Sequence, residues 1–418
     1  MAMTITGRLT VGVWFAVVAS ACASAVASQA PHAPSPPTRS AQAAPAAPVH
    51  LPARALIVSG GPDKTHNQVA IESNVRYVGR ILPTDTKYQV LFSDGNPQST
   101  TVQYQDGRAL AYRAPDLPRL DGGADMATVR LAMSETIAAS RSAASADVVL
   151  YFTGHGSGDR ATNFNNNWFD LWAGGRYTVR DLAQSIESFP AETPITLIMV
   201  QCFSGAFGNV LFQGGDPKGA VLDRKVSGFF AAIPERTAAG CTPAINEAEY
   251  RDFTGYFFAA LTGQDRMGRP ISGADYDHDS RVTMDEAFAW SLINDDSIDT
   301  PVCTSDTFLR RFAPMSDTDV AAILYESLTS WATPAQKAAL DGLSASLTLS
   351  GEHRVRAAFD RFALMRPNSQ ALPDVRLIRF VNLSRSIAEA HALTTSSDDA
   401  SKRRLAEIQS AEHRNPFK

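Results

Sequence analysis

Two short apolar runs dominate the hydropathy pattern of the chain. Asp147-Val-Val-Leu-Tyr-Phe-Thr runs into Gly154-His155-Gly156, and Ile195-Thr-Leu-Ile-Met-Val-Gln runs into Cys202, followed by Phe203-Ser-Gly. Continuous, β-branched-rich runs of this length read as strands buried on both faces of a parallel sheet. Ligands of such sheets sit at the carboxyl ends of the strands, where His155 and Cys202 both fall. The stretch between them has room for a crossover helix.

The same reading extends along the chain. Ala55-Leu-Ile-Val-Ser-Gly-Gly is a first strand ending in glycines. From His66 to Leu82, Ile71, Val75, Val78 and Leu82 mark an apolar helical face, with Ser73, Arg76 and Arg80 on the polar one. Tyr88 to Phe92 is a strand closed by Ser-Asp-Gly-Asn-Pro, which is turn chemistry. Residues 97–122 read as an exposed loop and Met126 to Ser140 as a helix. Phe169-Asp-Leu-Trp with Gly174-Gly175 reads as a small hairpin. Thr178 to Phe189 is a helix whose Thr178 and Asp181 form a capping box. Residues 205–219 read as a flexible glycine-rich loop, Val226 to Ile233 as a strand, and Phe253 to Leu261 as a helix. Beyond these, Asp319 to Ala332, Pro334 to Leu347 and a charged segment from Ser386 are helical, and Thr394 to Lys418 reads as frayed. Strands alternating with helices predict an α/β fold, a mostly parallel sheet flanked by helices on both faces, plus a C-terminal helical region. The α/β domain is bounded at 53–295 and the helical extension at 296–418.

Composition narrows the class. The chain has 418 residues, 44% of them hydrophobic and 19% charged, with a formal net charge of −5. That balance fits a globular protein and gives no basis for nucleic-acid binding. Arg8 precedes an apolar stretch, Leu9 to Ala19, and small residues follow; residues 1–27 read as an export signal. Ala19-Ser-Ala-Cys22 resembles a lipobox that would lipidate Cys22 and attach the chain to a membrane. Cleavage after Ala25 or Ala27 is the alternative. The Ala/Pro-rich residues 28–52 read as a disordered linker. The chain is therefore expected to be exported, to the periplasm, the membrane or the medium. In an oxidising compartment Cys241 and Cys303 could pair, which would leave Cys202 as an odd thiol. Taken alone, such a thiol is more often buried and inert than reactive.

A thiol at one strand end and an imidazole at another are the parts of a cysteine nucleophile and its base. Glycine on both sides of His155 admits a substrate backbone. The Gly156 and Cys202 amides are candidate oxyanion donors. Tyr151-Phe-Thr-Gly-His-Gly-Ser and Gln201-Cys-Phe-Ser-Gly resemble the His and Cys motifs of the legumain–caspase clan of cysteine peptidases, whose histidine lies roughly 50 residues before the cysteine. Ala231-Ala-Ile-Pro-Glu-Arg-Thr-Ala-Ala-Gly-Cys241, followed by Phe253-Thr-Gly-Tyr-Phe-Phe, is similar to the segment after the nucleophile in the legumain family. The resemblance covers residues 54 to 262. It implies a caspase-like fold, protein or peptide substrates, Cys202 as nucleophile and His155 as general base and acid. It also implies endopeptidase activity through a thioester, or transpeptidation, with no cofactor needed for catalysis. Phe203 departs from the acidic residue that legumains carry after the cysteine. Thr237, Ala238, Thr254 and Gly255 depart from the family's specificity pocket. His66 and Asn67 are further candidates for substrate contact, although His66 at a helix start reads more readily as a surface residue.

One motif stands apart. Asp275, Asp277, Asp279, Arg281 through its carbonyl, Thr283 and Glu286 occupy the ligand positions of an EF-hand loop and predict a structural Ca²⁺ site. Ser280 replaces the usual glycine, at a position that wants a positive φ. An acidic turn feeding a helix N-terminus is the plainer reading. Two other classes are weighed against the peptidase: a catalytically inactive binding module of the same fold, and a serine hydrolase. The latter fails because Gly154-His-Gly-Ser-Gly lacks the G-x-S-x-G frame.

Overall fold

A computed structural model describes residues 53–143 and 145–418. The export signal, the linker and Cys22 lie outside the described residues. The chain runs β1 (Arg54–Gly60), α1 (Val69–Ile81), β2 (Lys87–Phe92), β3 (Val102–Asp106), β4 (Ala109–Arg113), α2 (Met126–Arg141) and β5 (Val148–Gly154). It continues with β6 (Gly156–Ser157), β7 (Trp168–Leu171), β8 (Gly175–Thr178), α3 (Val179–Ser188), β9 (Ile195–Met199), β10 (Val226–Phe230) and α4 (Phe253–Thr262). The remainder is α5 (Met284–Asn294), β11 (Val302–Cys303), α6 (Thr304–Phe312), α7 (Asp317–Ala321), α8 (Tyr325–Trp331), α9 (Pro334–Ser346), α10 (Arg354–Ala363), α11 (Leu372–Thr395) and α12 (Asp399–Glu412).

The main sheet has the order β11-β10-β9-β5-β1-β2. All neighbours are parallel except β10 and β11. Alternate strand residues feed two cores. Leu56, Val58, Leu150, Phe152, Leu197 and Met199 join the layer of α2 and α3. Ile57, Val149, Tyr151 and Ile198 join the layer of α1 and α4. This is why the runs read as continuously apolar: both faces are covered. The α/β class, the mostly parallel sheet and the C-terminal helices are as expected. So is the β7–β8 hairpin, and the Thr178–Asp181 capping box closes α3.

Several local expectations are corrected. The 97–122 loop contains the β3–β4 hairpin, whose strands pair antiparallel from Val102↔Arg113 to Asp106↔Ala109. The 205–219 loop is not open: residues 204–211 form a 3₁₀ turn in which every residue is buried. Ser73, expected on the polar face of α1, is buried and accepts from Arg266 Nη1 at 3.1 Å. The helix expected over Asp319 to Ala332 is split into α7 and α8. Beyond residue 295, β11 adds the last strand of the sheet, so the sheet draws on sequence past the bound set for the α/β domain. The C-terminus is docked rather than frayed: Leu405 and Ile408 of α12 join one sheet core. Phe417 enters the other, its ring 5.1 Å from that of Phe258. A third cluster joins α5 to α7 through α11. No helix among the described residues is long and apolar enough to cross a membrane.

Candidate functional site

β5 and β9 are parallel neighbours in register from Val148↔Ile195 to Phe152↔Met199. Their carboxyl ends therefore emerge side by side, one carrying His155 and the other Cys202. Gly154 sits at φ +156°, and a Cβ there would lie 2.2 Å from the Gly60 carbonyl oxygen. A Cβ on Gly156 would lie 2.5 Å from the Cys202 carbonyl oxygen and 2.5 Å from Gln201 Cγ. The two motifs thus touch through backbone, and only glycine permits the approach.

The imidazole is held by a residue without a sequence motif. His155 Nε2 lies 3.0 Å from Gln68 Oε1. Gln68, buried at the N-cap of α1, directs its Nε2 toward the Thr65 carbonyl at 3.3 Å and Gln103 Oε1 at 3.5 Å. With the amide nitrogen committed to those acceptors, its oxygen faces the ring and accepts Nε2–H. That tautomer leaves Nδ1 unprotonated and able to accept a proton. The sequence could not flag Gln68, because the pairing spans 87 residues. His66 stands edge-on to His155, ring centroids 5.7 Å apart, and pairs with Asp63 at 3.0 Å. Burial lowers the His155 pKa and the electrostatic influence of His66 lowers it further, against the opposing pull of Asp170, a hydrogen bond to the His66 backbone, and Asp63.

Cys202 Sγ lies 3.3 Å from the Ala238 amide nitrogen and 3.7 Å from its carbonyl oxygen. The amide N–H donates to sulfur and favours the thiolate. Burial outweighs it and holds the thiol pKa above its ordinary value. With the thiol pKa raised and the imidazole pKa lowered, both groups are uncharged at neutral pH. Phe203 adopts φ +60° and its ring stacks on Phe164 at 6.2 Å. The segment bearing Ala238 is fixed from behind. Asp299, fully buried, accepts from Ala239 N at 2.6 Å and Phe253 N at 2.8 Å.

The other candidates are placed as follows. Thr237, next to Ala238 in sequence, is exposed. Asn67 is fully buried; it donates to the Thr101 carbonyl at 3.1 Å and accepts from Gly61 N at 3.3 Å, so it braces the loop after β1 rather than facing solvent. Cys241 and Cys303 are free. Cys241 Sγ donates to the Gly154 carbonyl at 3.5 Å, whereas Cys303 Sγ sits 3.2 Å from Ser305 Oγ.

In the acidic loop, carboxylate oxygens of Asp275, Asp277 and Glu286 lie within 4.8 Å of one another. Asp275 Oδ1 is buried without a hydrogen-bond partner, and its Oδ2 accepts from Ser280 N at 3.0 Å. Ser280 takes the positive φ, +69°, that its position requires. Asp279 accepts from Arg281 N at 2.8 Å, and Thr283 caps α5 with Glu286. All-oxygen donors with an orphaned carboxylate oxygen fit a hard cation such as Ca²⁺.

No protein-family model matches the sequence, and no curated protein does. Among solved structures, a secreted C11 cysteine protease from Bacteroides thetaiotaomicron, solved with an irreversible peptide inhibitor, matches over 65% of this chain and 70% of its own. That match has 15% identity and a TM-score of 0.28. A protein from Geobacter sulfurreducens matches over 60% of this chain and 92% of its own, with 12% identity and a TM-score of 0.35.

Proposed function

We propose that the chain is a cysteine endopeptidase of legumain-like type, acting on exported protein or peptide substrates. The observation that carries this reading is the contact of the two strand ends, with Gly156 beside His155 packed against the Cys202 carbonyl. Bound substrate presents its carbonyl carbon to Cys202 Sγ. His155 Nδ1 takes the thiol proton as the C–S bond forms, and the Gly156 and Cys202 amides stabilise the oxyanion. His155 then protonates the departing amine, leaving a thioester. Water, deprotonated by His155, releases the acid and regenerates the thiol; an amine in place of water would give transpeptidation.

The supporting electrostatics agree with this order of events. Gln68 orients the base, and Ala238 N–H offsets part of the thiol's burial. The EF-hand-like loop lies apart from the chemistry in sequence and takes a structural Ca²⁺. Signal cleavage or lipidation at Cys22 completes the exported form.

The test is turnover of a peptide library by the full chain and by Cys202→Ala, each with and without Ca²⁺. Cys202→Ala should abolish cleavage and leave melting unchanged; full activity in that variant sinks the proposal. Ca²⁺ should raise the melting temperature, and no shift removes the metal claim. A catalytically silent binding module is the second reading, favoured by the burial that raises the thiol pKa. It predicts that an electrophilic peptide never labels Cys202.

A further inference from the structure

Away from the strand ends, α5, α9, α11 and α12 enclose a cavity of about 400 Å³ against the β10–β11 edge of the sheet. That size suits a small ligand. One wall is apolar: Phe229, Phe288, Leu292, Ala339 and Leu383. Asp285, Asp306 and Glu412 also line the cavity, and neither Lys nor Arg does. Its one basic group, His413, is already paired with Asp285 at 3.1 Å. Glu412 is 4% exposed. Its Oε1 accepts from Thr304 Oγ1 at 2.6 Å and Ser305 N at 2.7 Å. Asp306 accepts from Cys303 N at 2.9 Å, from Cys303 Sγ at 3.4 Å and from Ser386 Oγ. A carboxylate has about four acceptor sites, so these bonds fill only part of their capacity.

We propose that this cavity binds a small organic cation with an apolar body, in its simplest form a primary alkylamine. The ammonium donates to Glu412 and Asp306, and the alkyl chain lies against Phe288 and Leu383. Burial keeps a proton on Glu412 up to about pH 7, so the ammonium is taken as that proton leaves, and selection for positive charge strengthens as pH rises through about 7. The apolar wall selects against a bare metal ion or a highly polar amine. None of these residues belongs to the Cys202–His155 site, so the proposal stands or falls separately from the peptidase reading.

The experiment is calorimetric and thermal-shift titration of the full chain with n-hexylamine, 1-hexanol and hexanoate. Hexylamine should bind one-to-one and raise the melting temperature. Hexanol, with the same body and no charge, should bind roughly tenfold more weakly, as expected for losing one charge-assisted hydrogen bond. Hexanoate should not bind. Glu412→Gln should weaken hexylamine roughly tenfold while leaving hexanol unchanged. Ala339→Leu, which fills the cavity, should block both. If Glu412→Gln fails to melt cooperatively, Ala339→Leu and the hexanol comparison decide. Equal binding of amine and alcohol, binding of hexanoate, or hexylamine binding unchanged by Ala339→Leu overturns the proposal.

Discussion

In the proposed mechanism His155 takes a proton only while neutral, and its surroundings keep it so. Burial is the main cause of its lowered pKa and His66 is the second. The acid limb of kcat/KM should therefore lie below the ordinary imidazole range. Replacing His66 with Ala removes the electrostatic influence that lowers the His155 pKa, so that pKa rises and the limb moves to higher pH. A pH profile of the variant checks this; an unmoved limb would show that His66 does not face the working ring. Gln68 makes a different prediction. It fixes the tautomer without touching substrate, so Gln68→Ala should lower kcat about tenfold, the size of one lost hydrogen bond, with KM little changed. An equal loss in KM would point to a collapsed site instead. His155 and Cys202 were legible because each ends an apolar run, His155 between two glycines. Gln68 and Ala238 were not, because hydrogen bonds across 87 and 36 residues leave no local pattern.

At the scale of elements, β5 and β9 matter through register. Their pairing sets the two motifs level, and Gly156 then closes the gap with its backbone. A methyl group on Gly156 meets the Cys202 carbonyl at 2.5 Å, with the Trp168 carbonyl at 3.2 Å on its other side. Backbone cannot yield as a side chain can. Gly156→Ala should therefore cost about 1–3 kcal/mol of stability and push Cys202 away from the base. Denaturant unfolding and turnover should both fall, whereas Gly158→Ala, facing the movable rings of Phe164 and Phe203, should lose less. The buried strands were readable from their apolar runs. The β3–β4 hairpin was missed because Gln103, Gln105 and Asp106 make it polar, although Asp106-Gly107 is hairpin-turn chemistry. The 204–211 turn was misread because its glycines mark close packing: a Cβ on Gly208 would meet Thr307 Oγ1 at 2.1 Å.

The whole molecule is held together by sequence that looks dispensable. A polar composition over the last 25 residues suggested fraying, yet α12 and the residues after it close both sheet cores. The signal lay in isolated apolar positions, Leu405, Ile408 and Phe417, whose meaning depends on a sheet edge far away in sequence. Glu412 is the sharpest point of this closure. Buried with Thr304 and Ser305 at the start of α6, its carboxyl is pushed from the usual 4.5 to about 7, chiefly by burial. A raised carboxyl pKa means that the folded chain keeps a proton the unfolded chain releases. The contribution to stability is fully present below pH 4.5 and is lost as pH rises through about 7. Asp299, raised by its own burial and by Asp295, adds a loss of the same sign. Glu412→Gln keeps an acceptor for Thr304 and Ser305 but has no proton to lose. The wild-type urea midpoint should therefore decline between pH 4.5 and 7 more steeply than that of the variant. Identical slopes would mean that Glu412 is charged in the folded protein, and that the junction of α12 with the sheet edge is wetter than its burial indicates.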